Sequence, residues 1–375
     1  MSDLSISSVR AIPLTASMQA GTRTSQGDFG AVSIVLVEVR SADGVVGYGE
    51  CLARYGARAY ALFINEVLAP KLLGQSAFDV RRLWQQMRAA LSGRAGGMLV
   101  ECIAGVDIAL WDLLGKALGQ PVHRLLGGVG RSRVDCYASS INWADTPAMR
   151  EQTQAAVALG FKAIKVKLGQ PVARAVEAAA AVRDAAGPGM PLAADANWAY
   201  SVDEAVKVGE ALQALDYWFF EEPIRPEDLA GYRHLRAKLS IMLAAGESDT
   251  TLAHAAQLIE PRLVGLIQPD VARAGGVSET RDIATLAHAH HVGYAPHVGW
   301  SGAVCVAASL QLAAAMPAFV SFECMFIGNP LRDGLCTAPV GDAASLVDGC
   351  LPVPQGPGLG VDINWDAVQR YRVDA

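Results

Sequence analysis

Five carboxylates and a histidine recur at nearly constant spacing in the second half of this chain. Asp195, Glu221, Glu247, Asp270, His297 and Glu323 lie 26, 26, 23, 27 and 26 residues apart. Each stands at or near the end of a short apolar run. The pair Lys165 and Lys167, in "AIKVKLG", precedes them. Side chains two apart on a strand point the same way, so the two ammonium groups share a face. Three successive carboxylates at one height in a low-dielectric mouth repel by ~1–4 kcal/mol per pair. Something positive has to lie between them. A ligand set of carboxylates without Cys or His selects a hard cation, Mg²⁺ first and Mn²⁺ as the alternative. Three protein ligands on an octahedral ion leave positions for water and substrate oxygens.

Any one of these residues has a blander reading. A single carboxylate at a strand end is more often a helix cap or an ion-pair partner, and a lone histidine more often a satisfied core residue. The phasing argues otherwise. Lys165 and Lys167 come before the three metal-ligand candidates, and Asp270 and His297 after them, so a closed ring of strands puts the two groups on opposite sides of the ion. A free lysine, with a pKa near ~10.4, is a poor base at neutral pH. A second ammonium and a nearby cation both penalise its charged form, which is how a lysine becomes a general base. On this expectation each lysine helps make the other basic. His297 beside Asp270 is the second acid/base, its tautomer and orientation set by the carboxylate. A hard cation flanked by two bases fits removal of the proton α to a carboxylate, with the cation stabilising the enediolate. Glu323 is expected to be a protonated acid that donates to the second oxygen.

Elements at regular intervals must hold these groups. From residue 134 short apolar runs alternate with helical stretches: 134–142, 161–169, 191–198, 217–224, 241–248, 263–270, 292–298 and 319–324. Ser201, with Glu204 three residues on, marks one helix start by a capping box. Eight such units in about 190 residues fit an α/β barrel of the triosephosphate-isomerase kind, whose chemistry lies at the C-terminal strand ends. A doubly wound open sheet is the alternative, but the Gly-rich phosphate turn that usually follows its first strand is missing. The first 130 residues differ. "AVSIVLVEVRSADGVVGYGEC" reads as a β-hairpin turning at Asp43-Gly44, and "CIAGVDIALWDLLGKALG" as a helix stopped by Gly119. The expected division is an α+β domain over 1–130, a barrel over 131–330 and a tail over 331–375 that returns to the first domain.

The 375-residue chain is 52% hydrophobic and 18% charged, with a net charge of −6. No basic cluster points to nucleic acid or an anionic membrane. The segment from Ala303 reads as a buried helix and not a membrane span, because Ser, Gln and Pro317 interrupt it. No signal peptide opens the sequence, and seven scattered cysteines read as free thiols, so the expected location is the cytoplasm.

The ordered set "KVK", "DAN" (195–197), "EEP" (221–223), "GES" (246–248), "QPD" (268–270) and "PH" (296–297) resembles the enolase superfamily, and within it the mandelate racemase subgroup. The likeness spans nearly the whole chain. It implies a modified TIM barrel, (β/α)7β, with an α+β capping domain formed by the N-terminal region and the C-terminal tail. It implies Asp195, Glu221 and Glu247 as Mg²⁺ ligands, Lys167 as the base on one substrate face and His297 with Asp270 on the other. Lys165 then sits beside the substrate carboxylate, Glu323 is an electrophilic partner, and Asn197 touches the α-hydroxyl. Arg23, in the loop 17–30, and the segment after "YGEC" are expected to set specificity. The substrate implied is a small carboxylate, and the assembly a homo-oligomer, dimer or higher. Most of the subgroup are sugar-acid dehydratases and a few are racemases. Polar residues near the expected site, among them Gln26, Asp28, Asn142, Trp198 and Ser301, favour a sugar acid over an aryl substrate. The sixth strand ends in Asp270, not lysine, which argues against the muconate-lactonising and dipeptide-epimerising subgroups. A Schiff-base aldolase would not need three in-phase carboxylates, and a noncatalytic barrel would have lost some of these positions.

Overall fold

The computed structural model describes residues 4–373 apart from 19–22, 29, 94–95, 129 and 249–250; of Arg23, Thr24 and Asp28 it describes the backbone alone. The N-terminal part is built on β1 (Ile6–Ser17), the short pair β2 (Arg23–Thr24) and β3 (Gly27–Asp28), then β4 (Ala31–Ser41) and β5 (Val46–Leu52). β1, β4 and β5 form an antiparallel sheet, with the expected turn between β4 and β5. Gly44 takes a φ of +92° there, a conformation that costs glycine nothing. The helix Met98–Leu118 lies on β5 and is buried along most of its length. Gly49 permits that approach, since a side chain there would collide with the Gly105 carbonyl. Gly119, at φ +65°, ends this helix as its sequence predicts.

Eight strands follow: β6 (Arg133–Ile141), β7 (Ile164–Lys167), β8 (Leu192–Asp195), β9 (Phe219–Glu221), β10 (Met242–Ala245), β11 (Leu266–Ile267), β12 (Gly293–Tyr294) and β13 (Phe322–Met325). Each pairs in parallel with the next from β6 to β12, and β13 pairs in parallel with β6. The ring closes where Tyr294 bridges Phe319, just ahead of β13, with the Val320 amide donating to the Tyr294 carbonyl at 2.8 Å. A last strand, β14 (Cys350–Pro352), adds antiparallel to β6. Tyr137, Ala163, Ala193, Phe219, Ala244, Leu266 and Ala295 pack together inside the ring. Tyr137 and Phe219 meet edge to face at 5.9 Å, worth ~1 kcal/mol beyond the area they bury. This plug leaves the chemistry to the strand ends.

Ser201 forms the predicted capping box with Glu204. The apolar helix Ala303–Ala315 is buried throughout, and no described helix is long and apolar enough to cross a membrane. All seven cysteines are free, six of them buried. The tail returns to the first sheet: Leu14 bridges Arg372, and the Val373 amide donates to the Pro13 carbonyl at 3.1 Å.

Candidate active site

Strand register sets the geometry of the site. Lys167 pairs with Asp195 on the next strand, and Asp195 with Glu221 on the one after. Parallel partners share a face, so the three side chains form one inward rung. Lys165, two residues back, points the same way as Lys167. Glu247 breaks the simple alternation. Ala244 faces inward, so a straight strand would send Glu247 outward. Gly246 turns the chain at φ +121° and brings the carboxylate back into the mouth. Carboxylate oxygens of Asp195, Glu221 and Glu247 all lie within 4.8 Å of one another. Asp270 and His297 pair across a parallel bridge beyond β11 and β12.

Cations brace this cluster from both sides. The Lys167 ammonium donates to Asp195 Oδ2. The Lys165 ammonium donates to Glu221 Oε1 at 2.7 Å, to Glu221 Oε2 at 2.9 Å and to Glu323 Oε1 at 2.8 Å. His297 Nδ1 meets Asp270 Oδ2 at 2.8 Å, while its Nε2 lies 3.1 Å from Glu247 Oε2. Asn197 donates twice to Asp195, from its backbone amide at 2.8 Å and from Nδ2 at 3.2 Å. Its Oδ1 is buried without a partner.

These contacts set the protonation states. Burial alone lowers the pKa of His297, but the charges of Glu247 and Glu323 and the bond to Asp270 raise it to about 10. Burial raises Glu323, yet Lys165, His297 and Lys167 outweigh it and hold the carboxyl at about 2. Glu247 is likewise held far below the usual carboxylate range, burial opposing and His297 and Lys167 winning. Glu221 goes the other way. Burial raises it, Lys165 pulls it down, and the neighbouring carboxylates push it up again, to about 8.

Lys165 is fully buried and ties Glu221 to Glu323. Burial lowers its pKa, but Glu221, Glu323 and Asp195 together raise it well above the ordinary lysine value. Glu323 is held by three donors. Its carboxylate accepts from Ser139 Oγ at 2.7 Å, from Lys165, and from the Val298 amide at 2.9 Å.

The residues present fit a divalent cation. Asp195, Glu221 and Glu247 crowd their carboxylates together, with Lys165 on Glu221, Lys167 on Asp195 and His297 beside Glu247. Burial does most to raise Glu221 to about 8, and the charges of Asp195, Glu323 and Glu247 add to it. The donor set is all oxygen, buried and preassembled.

The pocket above the carboxylates is lined by Lys167, His297, Asn197, Trp198, Glu247 and Glu323 of the barrel and by Gln26 and Arg54 of the N-terminal part. Its free volume is about 20 Å³. Ser25 Oγ donates to the Ala196 and Asn197 carbonyls at 2.9 and 3.1 Å, and Gln26 Nε2 to the Asn197 carbonyl at 2.6 Å. The loop 17–30 thus reaches the site, but through Ser25 and Gln26. The side chain of Arg23 lies outside the described residues.

A family pattern described as "Mandelate racemase / muconate lactonizing enzyme, N-terminal domain" matches residues 8–127, and one described as "Enolase C-terminal domain-like" matches residues 148–367. The chain belongs to the mandelate racemase/muconate lactonizing enzyme family of the enolase superfamily. It is 36% identical to a D-galactarolactone cycloisomerase of Agrobacterium fabrum, over 90% of this chain and 91% of that one. It is 33% identical to an arabinonate dehydratase of Saccharolobus solfataricus, over 91% of both chains. Among solved structures, a racemase from Streptomyces coelicolor with bound magnesium superposes with a TM-score of 0.89 at 28% identity, covering 98% of this chain and 100% of that one.

Within this family frame three residues stand out that the motifs contained without revealing their roles. Gln268, in "QPD", donates from Nε2 to Glu221 Oε2 at 2.8 Å. Glu222, in "EEP", accepts from two neighbouring loops. Arg54, just after "YGEC", reaches the pocket from the N-terminal part. Burial and the Arg273 charge lower its pKa, opposed by Glu247 and Asp270. Their signal was position inside a motif; partners far off in sequence define what each does.

Proposed function

We propose that this enzyme removes the proton α to the carboxylate of a monosaccharide acid, aldonic or aldaric, and expels the β-hydroxyl to give a 2-keto-3-deoxy acid. The observation that carries the reading is the placing of Lys167 and His297 on either side of the Asp195–Glu221–Glu247 cluster, both lining one pocket. Lys167, as the neutral amine, takes the α-proton on its side-chain nitrogen and becomes the ammonium, and the electron pair enters the carboxylate as an enediolate. His297, held in its protonated form and oriented by Asp270, delivers a proton to the departing hydroxyl, which leaves as water. The enol left behind tautomerises to the 2-keto acid. Asp195, Glu221 and Glu247 would hold Mg²⁺, which supplies the Lewis acid that draws charge onto the substrate carboxylate oxygens. The unpartnered Asn197 Oδ1 accepts a substrate hydroxyl, and Arg54 faces the distal end of the chain.

A second reading has support in the cycloisomerase likeness: an isomerase, of the racemase or cycloisomerase type, using the same two groups to remove and return protons. A screen of sugar acids and sugar lactones with Mg²⁺ separates the two. Semicarbazide detects 2-keto acid, and NMR in D₂O detects α-proton exchange. Keto acid from an aldonic or aldaric acid supports dehydration, while exchange or ring opening without keto acid supports the isomerase. Lys167→Ala and His297→Asn are each expected to slow turnover by ~10²–10⁴-fold. Slow α-proton exchange should persist in His297→Asn, because Lys167 remains. Full keto-acid production by His297→Asn would remove the histidine from the acid role.

A further inference from the structure

The residue after the second metal-ligand candidate is itself a buried carboxylate, and it reaches the loops of the other two. Glu222 has no solvent exposure. Its Oε2 accepts from Trp198 Nε1 at 2.9 Å, and its Oε1 accepts from the Gly246 amide at 2.9 Å. Trp198 lies three residues beyond Asp195, and Gly246 immediately precedes Glu247. The backbone of Glu222 repeats the pattern. Its amide donates to the Ala244 carbonyl at 2.9 Å, and its carbonyl accepts from the Trp198 amide at 2.8 Å.

All three loops turn through left-handed backbone at this point. Asn197 and Trp198 stand at φ +42° and +64°, Glu222 at +41° and Gly246 at +121°. For non-glycine residues such conformations cost on the order of 1–3 kcal/mol each and persist where the surroundings over-determine them. The Glu222 carboxylate supplies that determination, since it ties the Trp198 turn to the Gly246 turn across the strand that carries Glu221. The same carboxylate also accepts from Tyr232 Oη at 3.2 Å, a contact from a barrel helix that carries no ligand.

We infer that Glu222 is a positioning residue: it holds the Asp195 and Glu247 loops in register about Glu221, and so sets how tightly and how selectively the three carboxylates take up a small divalent cation. The inference rests on reading that triad as the metal site. Groups of this kind typically change metal affinity 10–100-fold when removed. Mg²⁺ also demands tighter geometry than Ca²⁺, so loosening the loops should erode the preference between them.

Calorimetric titration of the full-length protein with MgCl₂ and with CaCl₂ tests this without any turnover assay. Glu222→Gln keeps the volume but presents an amide where the carboxylate accepted two loop donors. It is expected to weaken Mg²⁺ binding by ~10–100-fold and to narrow the Mg²⁺/Ca²⁺ ratio. Trp198→Phe removes one loop donor and leaves the carboxylate in place, with a smaller loss in the same direction. Tyr232→Phe removes a donor to the same carboxylate that touches no ligand loop, and should leave the Mg²⁺ affinity within twofold. Equal affinities in Glu222→Gln, Trp198→Phe and wild type would overturn the inference, as would a loss in Tyr232→Phe that matches the other two. Absence of Mg²⁺ uptake by the wild type would instead overturn the metal reading beneath it.

Discussion

Lys165 sits among Glu221, Glu323 and Asp195 with no exposure to solvent, above the ring of Tyr137 at 5.4 Å. Removing that charge strands carboxylates that have no route to water. Breaking a buried ion pair from one side costs on the order of 3–5 kcal/mol, most of it the penalty of the unpaired partner. Lys165→Met should therefore lower the thermal midpoint sharply in Mg²⁺-free buffer. Added Mg²⁺ should recover part of that loss, because the cation takes over the neutralisation of Glu221. Equal midpoints for variant and wild type in both buffers would show that Lys165 is not what balances the triad. The chemical pair, Lys167 and His297, was legible as residue types at fixed offsets. The bracing role of Lys165 was not, because its partner Glu323 is 158 residues away and its contacts exist only once the ring has closed.

At the scale of elements, the apolar runs located all eight barrel strands but overstated the length of every one except β6. β11 is only Leu266–Ile267 within the run 263–270, because the residues beyond it leave the ladder and turn toward the mouth. Alternation likewise misplaces Glu247 unless Gly246 is given its positive φ. The helices add something that sequence periodicity could not show: two of them begin at buried carboxylates from the N-terminal part. Glu50 on β5 accepts from the Gly302 and Cys305 amides at 2.7 and 3.1 Å, at the start of the helix Ala303–Ala315. Asp107 accepts from the Ser278 amide and hydroxyl at 2.9 and 2.7 Å, in the first turn of the helix Gly276–Ala289. Helix N-termini favour negative charge, and these bonds join the two parts of the molecule. Burial nevertheless dominates. It pushes both carboxyls up to about 7, with the Asp270 charge adding to Glu50 and with Arg81 and Arg281 opposing at Asp107. The folded chain thus holds these protons to higher pH than the unfolded chain does. Their contribution to stability is complete below about pH 4 and is lost as pH rises through 7, on the order of 3 kcal/mol per group. Denaturant midpoints between pH 5 and 8 should fall accordingly. Glu50→Gln should flatten that slope, leaving the part due to Asp107. An unchanged slope in the variant would refute the assignment to Glu50.

For the whole molecule, the question is how a sugar acid enters a space of about 20 Å³. That volume holds about one water, so the segment that carries Ser25 and Gln26 is expected to move for substrate to bind. The contacts of that segment with the barrel include those of Ser25 and Gln26 with the Ala196 and Asn197 carbonyls, on the loop that follows Asp195. We expect closure to act on the loop after Asp195 directly, since these bonds tie Ser25 and Gln26 to the turn that carries Asn197. Such closure excludes water and completes the site around the bound acid. Hydrogen bonds of this kind contribute about 1 kcal/mol each, so losing the contacts of both residues should cost roughly tenfold or more in kcat/KM. The double variant Ser25→Ala/Gln26→Ala should keep the thermal midpoint of the wild type, since both side chains lie at the rim and not in the core. Its KM should rise. Its kcat should stay level or increase where release of product limits turnover, because the open form is easier to reach. Steady-state kinetics on the sugar acid identified in the screen decide the point, and a variant with unchanged KM and kcat would show that these contacts do not gate the pocket.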